Sequence, residues 1–497
     1  MAPFDLWPLA LFSAALLFLA VERAPPSSAR SVAWLGFVFG LGKYGLGASW
    51  VYVSIHEHGG ASVVLAGSLV ALFVAFLALF PATQLWLYGR LRAQAGGAAG
   101  NGVLFAALWV FWEWLLTWFL SGFPWLFAGA GQLSSPLAGY GPVGGVLLMS
   151  LAAVSAGVLL ALGVLAWQRG ARRDRALWLP WAMLALIFAG GAVLRSVSWT
   201  TPGAMRTAAL VQGNIAQATK WRAEQRSVIL QKMQRLSAPH WGVDLMLWPE
   251  ASITLYEHQA GAYLERWGER GRAEGTTLIL GLPGVEALPA VGDAPAYTFS
   301  NRAVAVGAGS GRYSKRRLVP FGEYVPLEGL LRGLIRFFDL PMSHASPGPD
   351  AQPLLKAGAE TAAMAICYEI AYPALVQGDM PADVLLTISN DAWFGRSTGP
   401  EQHRQLAQLR ALELGRWLLR ATNTGHTVIV DHRGRVTQAL PRFAEGVLTG
   451  PYQVRQGLTP FARIGQGPVL FAIVLALALV VFLRARFRPA SAESPKP

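Results

Sequence analysis

Seven apolar stretches of roughly bilayer-spanning length, at about 4–21, 32–53, 61–88, 103–120, 143–167, 177–197 and 468–483, leave this chain few folds to choose from. So many long apolar segments point to transmembrane helices, whose backbone groups are satisfied within each segment. The first stretch lacks a basic region before its apolar core and is read as a retained helix rather than a signal peptide. Between the sixth and seventh the pattern changes: short β-like runs alternate with amphipathic polar segments and Gly/Pro turns. The expected organisation is a membrane domain over 1–199 with about six helices, a globular domain over 200–465, and a C-terminal helix and cytoplasmic tail over 466–497.

Basic residues supply the orientation. Arg23 and Arg30 follow the first stretch, Arg90 and Arg92 the third, Arg169, Arg172, Arg173 and Arg175 the fifth, and Arg484, Arg486, Arg488 and Lys496 the last. The opposite loops, around 54–61 and 121–142, carry no Lys or Arg. The positive-inside rule then makes the first set cytoplasmic and puts 200–465 on the outer face. The net charge of +13 is scattered among apolar segments rather than gathered into a stripe with interleaved aromatics, which argues against a nucleic-acid partner.

In the globular section strands are expected at 206–212, 244–248, 276–281, 297–306, 384–389 and 426–431, with helices at 220–236 and 400–415. Strands interleaved with helices predict an α/β sandwich. The sequence holds no internal repeat, no metal-spaced cysteines and no Gly-rich phosphate loop, so neither a metal nor a cofactor is expected.

Cys367, the one cysteine, ends the apolar run 361–367, where a strand gives way to a loop. A lone cysteine is most often a packed apolar side chain, but a thiol fixed by a strand and open to a loop also suits nucleophilic chemistry. Two further strand ends carry charge: Glu250 follows the run 244–248 and a proline, and Lys315 follows the strand at 297–306 and its turn. Only six of the 41 basic residues are lysines, which makes Lys315 less incidental.

Glu, Lys and Cys in that order, within Trp-Pro-Glu250, Tyr313-Ser-Lys315 and Cys367-Tyr-Glu369, resemble the triad of the nitrilase superfamily of carbon–nitrogen hydrolases, which is built on an α-β-β-α sandwich. Leu318-Val-Pro-Phe-Gly-Glu-Tyr-Val-Pro326, Leu386-Thr-Ile-Ser-Asn-Asp-Ala-Trp-Phe-Gly395, Arg410-Ala-Leu-Glu413, Trp50-Val-Tyr-Val-Ser-Ile55 and Gly122-Phe-Pro-Trp-Leu126 narrow the resemblance to the membrane-bound apolipoprotein N-acyltransferase family of Gram-negative bacteria. That family has eight membrane helices and a cytoplasmic N-terminus, whereas seven stretches are counted in this chain. The opening Phe4-Asp-Leu-Trp-Pro8 resembles the family's second helix, which implies a lost first helix or a start placed too late.

The resemblance implies Cys367 as nucleophile, Glu250 as proton acceptor and Lys315 as stabiliser of oxyanion and thiolate, with Glu323, Tyr368, Glu369 and Trp221 in support. It implies a phospholipid acyl donor, a diacylglyceryl apolipoprotein acceptor, and an inner-membrane location with a periplasmic catalytic domain. An interfacial arm that gates lipid access is read from the apolar run around 330–340, with Leu334, Phe337 and Phe338, the alternative being a segment that docks the globular domain on its own membrane helices. Asn390 and Asp391 suit a turn as well as a place at the site, and His56 and His58 are read as loop histidines rather than metal ligands. Two rival functions are a membrane-anchored amidase that hydrolyses a small amide with the same triad, and a transporter with a non-catalytic nitrilase-like domain. Lys43 and Glu113 are nearly the only charges inside a span, which makes the transporter reading weak.

Overall fold

The computed structural model describes residues 1–25, 28–92, 97–168, 175–291, 294–326 and 345–486. Leu334, Phe337 and Phe338 of the expected arm, the basic residues Arg169, Arg172 and Arg173, and the tail with Arg488 and Lys496 lie outside the described residues.

Every apolar stretch holds a helix; the second is interrupted after Gly47, and the fifth kinks at Gly144 and Gly145. The helices α1 (Pro8–Arg23) and α2 (Ala29–Gly47) are followed by the short α3 (Val51–Val53), which runs into a π-helical turn, Ser54–His58. His56 and His58 therefore sit on a helical turn rather than in an open loop, and His56 Nδ1 lies 2.7 Å from the Ala61 carbonyl. Next come α4 (Val63–Leu91), α5 (Ala98–Leu115), α6 (Gly141–Gln168) and α7 (Arg175–Ser196). Among the described residues, four helical segments are long and apolar enough to cross a membrane: Val63–Leu91, Ala98–Leu115, Pro136–Gln168 and Trp178–Ser196. The close α2–α4 contact depends on small residues, since a Cβ on Gly40 would come within 2.6 Å of Ala78 Cα.

Lys43 faces inward. Its Nζ lies 5.3 Å from the Tyr44 ring centre and 5.6 Å from that of Trp109, and Glu113 is its electrostatic partner. Glu113 Oε1 in turn accepts hydrogen bonds from Trp109 Nε1 (2.9 Å) and the Ala128 N–H (2.8 Å). Burying the two charges together lowers the cost that either would carry alone in hydrocarbon.

The globular part is two six-stranded sheets face to face. One has the order β12-β1-β2-β3-β4-β5 and the other β11-β10-β9-β8-β7-β6. The first comprises β1 (Thr201–Gln212), β2 (Leu245–Leu247), β3 (Thr277–Val291), β4 (Ala294–Gly307), β5 (Gly311–Ser314) and β12 (Gly446–Gln456). The second comprises β6 (Leu355–Ala357), β7 (Glu360–Ile366), β8 (Val384–Ser389), β9 (Leu418–Thr422), β10 (Val428–Val430) and β11 (Val436–Ala439). In the middle of each sheet three strands run parallel, β1-β2-β3 and β7-β8-β9, and the outer strands are antiparallel.

Side-chain alternation divides the layers. Leu210, Leu247, Ile279, Ile366, Leu386 and Leu419 meet between the sheets. Their neighbours Val211, Met246 and Leu278 face outward onto α9 (Gln225–Ser237) and α10 (Gly261–Glu274), through Ile229, Met233 and Trp267. On the opposite side Ala363, Ala365 and Leu385 pack against α11 (Pro373–Gly378) and α12 (Gly399–Leu414), through Val376, Ala407 and Ala411. The result is an α-β-β-α sandwich joined to a helical membrane part.

Expectation and structure differ in places. The helix expected at 220–236 is two, α8 (Gln217–Lys220) and α9. Lys315 follows the separate short strand β5 rather than the turn after β4, and β9 and β12 lie where no strand is expected. The last helices are α13 (Pro460–Ile464) and α14 (Gly467–Arg486).

The two parts share a core through α12. Its Leu406, Leu409 and Leu412 join Tyr44, Trp50 and Trp125 of the helical part in one apolar cluster, while its opposite face packs on the second sheet. A helix covered on both faces buries its polar positions too: each residue of Leu406–Leu414 is buried, with Arg410 and Glu413 paired at 3.0 Å.

Candidate active site

Glu250, Lys315 and Cys367 leave the ends of β2, β5 and β7 and converge. After β2 the chain turns through Pro249, and Ala251 takes a positive φ of 45°. Gly281 in β3 makes room for this turn: a Cβ there would come 2.7 Å from Ala251 N and 2.8 Å from Glu250 Cα. The Glu250 carboxylate is thereby held among three donors. Its Oε1 accepts from Asn301 Nδ2 (2.6 Å) and Lys315 Nζ (3.5 Å), and its Oε2 from the Asn390 N–H (2.8 Å).

Lys315 is 1% exposed. Besides Glu250 it donates to Glu323 Oε1 at 2.8 Å, and Glu323 Oε2 is fixed by the Val319 N–H at 2.8 Å. Burial alone would lower the Lys315 pKa, but Glu323, Glu250 and the Cys367 thiol outweigh it and hold the group above its ordinary value. Lys315 is therefore a permanent cation between two carboxylates.

Cys367 follows β7 at a positive φ of 54° and opens a 3₁₀ turn, Cys367–Ala371. A non-glycine residue in this conformation is strained and persists only where its surroundings over-determine it. Two anchors do so. The Glu369 carboxylate accepts from the backbone N–H groups of Ile366 (2.7 Å), Arg316 (2.6 Å) and Arg317 (3.0 Å) and from the Tyr313 hydroxyl (2.9 Å), tying the thiol's turn to the segment that carries Lys315. His403 of α12 supplies the second, with Nε2 2.9 Å from the Cys367 carbonyl. Nδ1 of that ring lies 3.0 Å from Asp391 Oδ1, and Asp391 also accepts from Ser389 Oγ (2.6 Å) and Arg420 (2.8 Å).

Burial pushes the Cys367 thiol up, Glu250 pushes it further, and Lys315 offsets part of the rise. The resting group is thus a neutral thiol, which must lose its proton as it attacks.

Cys367, Asp391 and His403 offer atoms within 4.8 Å of one another. Both His403 nitrogens and both Asp391 oxygens are already engaged, and the Arg420 guanidinium stands among them. The set is spent on positioning the nucleophile and does not suit a cation.

Tyr368 faces the helical part: its hydroxyl donates to the Gly122 carbonyl (3.1 Å), and its ring stacks on Trp125 with centres 6.3 Å apart. Trp221, at the end of α8, is half-buried, and no hydrogen bond links it to Glu250, Lys315 or Cys367 among the described residues. The preceding Lys220 makes that link instead. It is buried, its Nζ donates to the Glu250 carbonyl at 3.1 Å, and burial lowers it to about 8 against the pull of Glu250.

Sequence reasoning missed Lys220, Asn301 and His403, and left Asn390 and Asp391 open between the site and a turn. One signal was present: the scarcity of lysine that singles out Lys315 applies equally to Lys220.

Residues 1–159 match the apolipoprotein N-acyltransferase N-terminal domain, and 207–456 match the carbon-nitrogen hydrolase family. The chain is 45% identical to the apolipoprotein N-acyltransferase of Azotobacter vinelandii, over 98% of this chain and 93% of that protein. It is 44% identical to that of Pseudomonas aeruginosa, over 98% and 94%. A solved amidase from Nesterenkonia sp. AN1 is 18% identical, with a TM-score of 0.36 over 54% of this chain and 96% of that one, a likeness too low to bear on the site.

Proposed function

The chain belongs to the apolipoprotein N-acyltransferase family, and on that premise we propose that it moves an acyl chain from a phospholipid to the α-amine of the diacylglyceryl-cysteine of an apolipoprotein, completing lipoprotein maturation. It is an acyltransferase and a membrane protein. In the proposed first half-reaction Cys367 Sγ attacks the ester carbonyl carbon while Glu250 takes the thiol proton. Lys315 and a backbone N–H near Cys367 stabilise the tetrahedral oxyanion. Collapse breaks the C–O bond, Glu250 returns the proton to the departing lysophospholipid, and a thioester remains on Cys367. In the second half-reaction the acceptor amine attacks the thioester, Glu250 accepts its proton, and the amide leaves as the thiol is restored.

The observation that carries this reading is a buried thiol held at a positive φ beside one lysine that bonds Glu250 at 3.5 Å and Glu323 at 2.8 Å. Glu323 and Glu369 serve by fixing Lys315 and the thiol's turn, and Tyr368 by docking the turn on the helical part. The proposed setting is the inner membrane, with 200–465 in the periplasm and the apolar run around 330–340 gating lipid access; the alternation of basic and neutral loops supports the orientation. The amidase alternative would leave the helical part, which packs on Tyr368 and α12, without a task.

Mass analysis tests the reading directly. Enzyme given phospholipid but no acceptor should gain one acyl group, and Cys367→Ala none. Adding a diacylglyceryl peptide should discharge that group onto the peptide. Transfer by Cys367→Ala would refute the covalent route, and release of free fatty acid with no acylated peptide would favour hydrolysis.

A further inference from the structure

A second cleft, apolar over most of its wall, lies where α7 runs into β1, lined by Arg195, Trp199, Thr200, His432, Arg433 and Thr459 among others. Its empty space, counted out to open solvent, is about 410 Å³. Leu412 lines this cleft while His403 reaches the Cys367 carbonyl, and the two are about 13 Å apart along α12.

The charges at this cleft are unbalanced. Arg433 and Arg435 act electrostatically on Arg195, and both act with Arg455 on His432. Asp431, the carboxylate in their midst, turns Oδ1 to the backbone N–H groups of Arg433 and Arg435, each at 2.9 Å. Among the described residues, none of the four guanidiniums forms an ion pair. Arg195 donates to the Ser135 carbonyl at 3.0 Å, and Arg455 to Thr200. Among the described residues, the side chains of Arg433, half-buried in the cleft wall, and of Arg435, exposed beside it, have no hydrogen-bond acceptor within the protein.

Two neutral nitrogens are also unsatisfied. Trp199 Nε1 and His432 Nδ1 are buried without a partner among the described residues. Burial, reinforced by Arg455, Arg433 and Arg435, lowers His432 to about 4 despite Asp431, so the ring adds no further positive charge near neutral pH.

The position suggests what approaches. Arg195 lies in the last turn of α7, where the apolar segment Trp178–Ser196 ends, so the cleft lies at the depth of lipid headgroups. In the expected orientation this is the outer face, where topology calls for no basic cluster.

Repelling cations beside an indole N–H without an acceptor are satisfied together by one kind of ligand, an oxyanion with several acceptor oxygens. We propose that this cleft binds a phosphate group, carried by an anionic phospholipid headgroup or free in solution, with Arg433 of its lining and the nearby exposed Arg435 as charge partners and Trp199 Nε1 as neutral donor. The site is independent of the acyl-transfer reading.

The test uses the full chain, purified in detergent and stripped of lipid, with dioleoylphosphatidylglycerol, dioleoylphosphatidylcholine or sodium phosphate in separate arms. Native mass spectrometry should detect a phosphatidylglycerol adduct in excess of phosphatidylcholine. Arg433→Gln/Arg435→Gln should weaken it about tenfold, as loss of charge-assisted bonds would. Without ligand, the double variant should melt at or above the wild-type temperature, because repulsion among the guanidiniums is relieved. An adduct that survives excess phosphate identifies the headgroup as the source, and one displaced by phosphate identifies the free anion. Equal retention of the two lipids with no phosphate-dependent thermal shift, equal adducts in wild type and variant, or a lower ligand-free melting temperature in the variant would overturn the proposal.

Discussion

His403 Nε2 lies 2.9 Å from the carbonyl oxygen of Cys367, so the nucleophile's strained turn is held by α12 as well as by its own loop. The preceding residue, Gln402, accepts from Trp125 Nε1 (2.7 Å) and Trp50 Nε1 (3.0 Å). Two consecutive residues of one helix thus fasten the membrane part to the catalytic turn.

Loss of that fastening should be felt at the thiol. His403→Ala removes the bond to Cys367 and leaves Asp391 and Arg420 short of a buried partner, a cost of about 1–3 kcal/mol. Thioester formation should slow about tenfold or more as the thiol loses its fixed geometry. Gln402→Leu, which touches neither Cys367 nor Asp391, should slow the same step. Rapid-quench mass analysis gives the rates, and unimpaired acylation in both variants would show that α12 does not position the thiol.

A second prediction concerns protonation of the thiol. Cys367 is the one cysteine in the chain, so iodoacetamide labelling read by mass reports on it alone. Since burial and Glu250 raise its pKa and Lys315 lowers it, wild-type labelling should still climb above pH 9. Glu250→Gln should move the inflection to lower pH, and Lys315→Met to higher pH. An inflection that stays fixed in all three proteins would mean that neither charge reaches the thiol.

Gly281→Ala tests the placement of Glu250. The added Cβ would meet Glu250 Cα at 2.8 Å and must displace the turn. Overpacking of this kind costs about 1–3 kcal/mol, and a shift of a few tenths of an ångström to about 1 Å in a catalytic group costs up to about 10²-fold in rate. The control is Gly261→Ala, where a Cβ meets nothing within 4 Å. Steady-state rates beside melting temperatures separate the two effects, and full activity in Gly281→Ala would show that the turn tolerates displacement.

The legible parts of this protein are those encoded by local pattern. Apolar runs long enough to span a bilayer marked the helices, and the runs ending near Trp248 and Ile366 marked the strand ends that carry Glu250 and Cys367. What escaped depends on contacts between distant segments. Asn301 lies in mid-strand, yet the register of β4 brings its amide to Glu250. Asn390 looked like half of a turn because nothing local reveals that β8 ends opposite β2, where its backbone N–H meets Glu250 Oε2. His403 is one polar residue in a helix whose polar positions are buried too, so periodicity could not separate a core-facing side from a solvent-facing one.

Lys220 offers the last prediction, because burial holds its pKa at about 8 against 10.5 in an unfolded chain. Between those values the unfolded state binds more protons, so its contribution to stability is fully present above about 10.5 and is lost as pH falls through 8. Lys220→Met removes this titration. Its stability relative to wild type should therefore be highest near pH 7 and decline towards pH 10.5, by roughly 3 kcal/mol at most. Activity should move the opposite way near neutral pH: without the 3.1 Å bond to its carbonyl, Glu250 is less firmly placed. The steady-state rate should then fall about tenfold in Lys220→Met and return in part in Lys220→Arg, which keeps a donor for the carbonyl. Full activity in Lys220→Met, beside the expected pH dependence of its stability, would assign Lys220 a purely structural role.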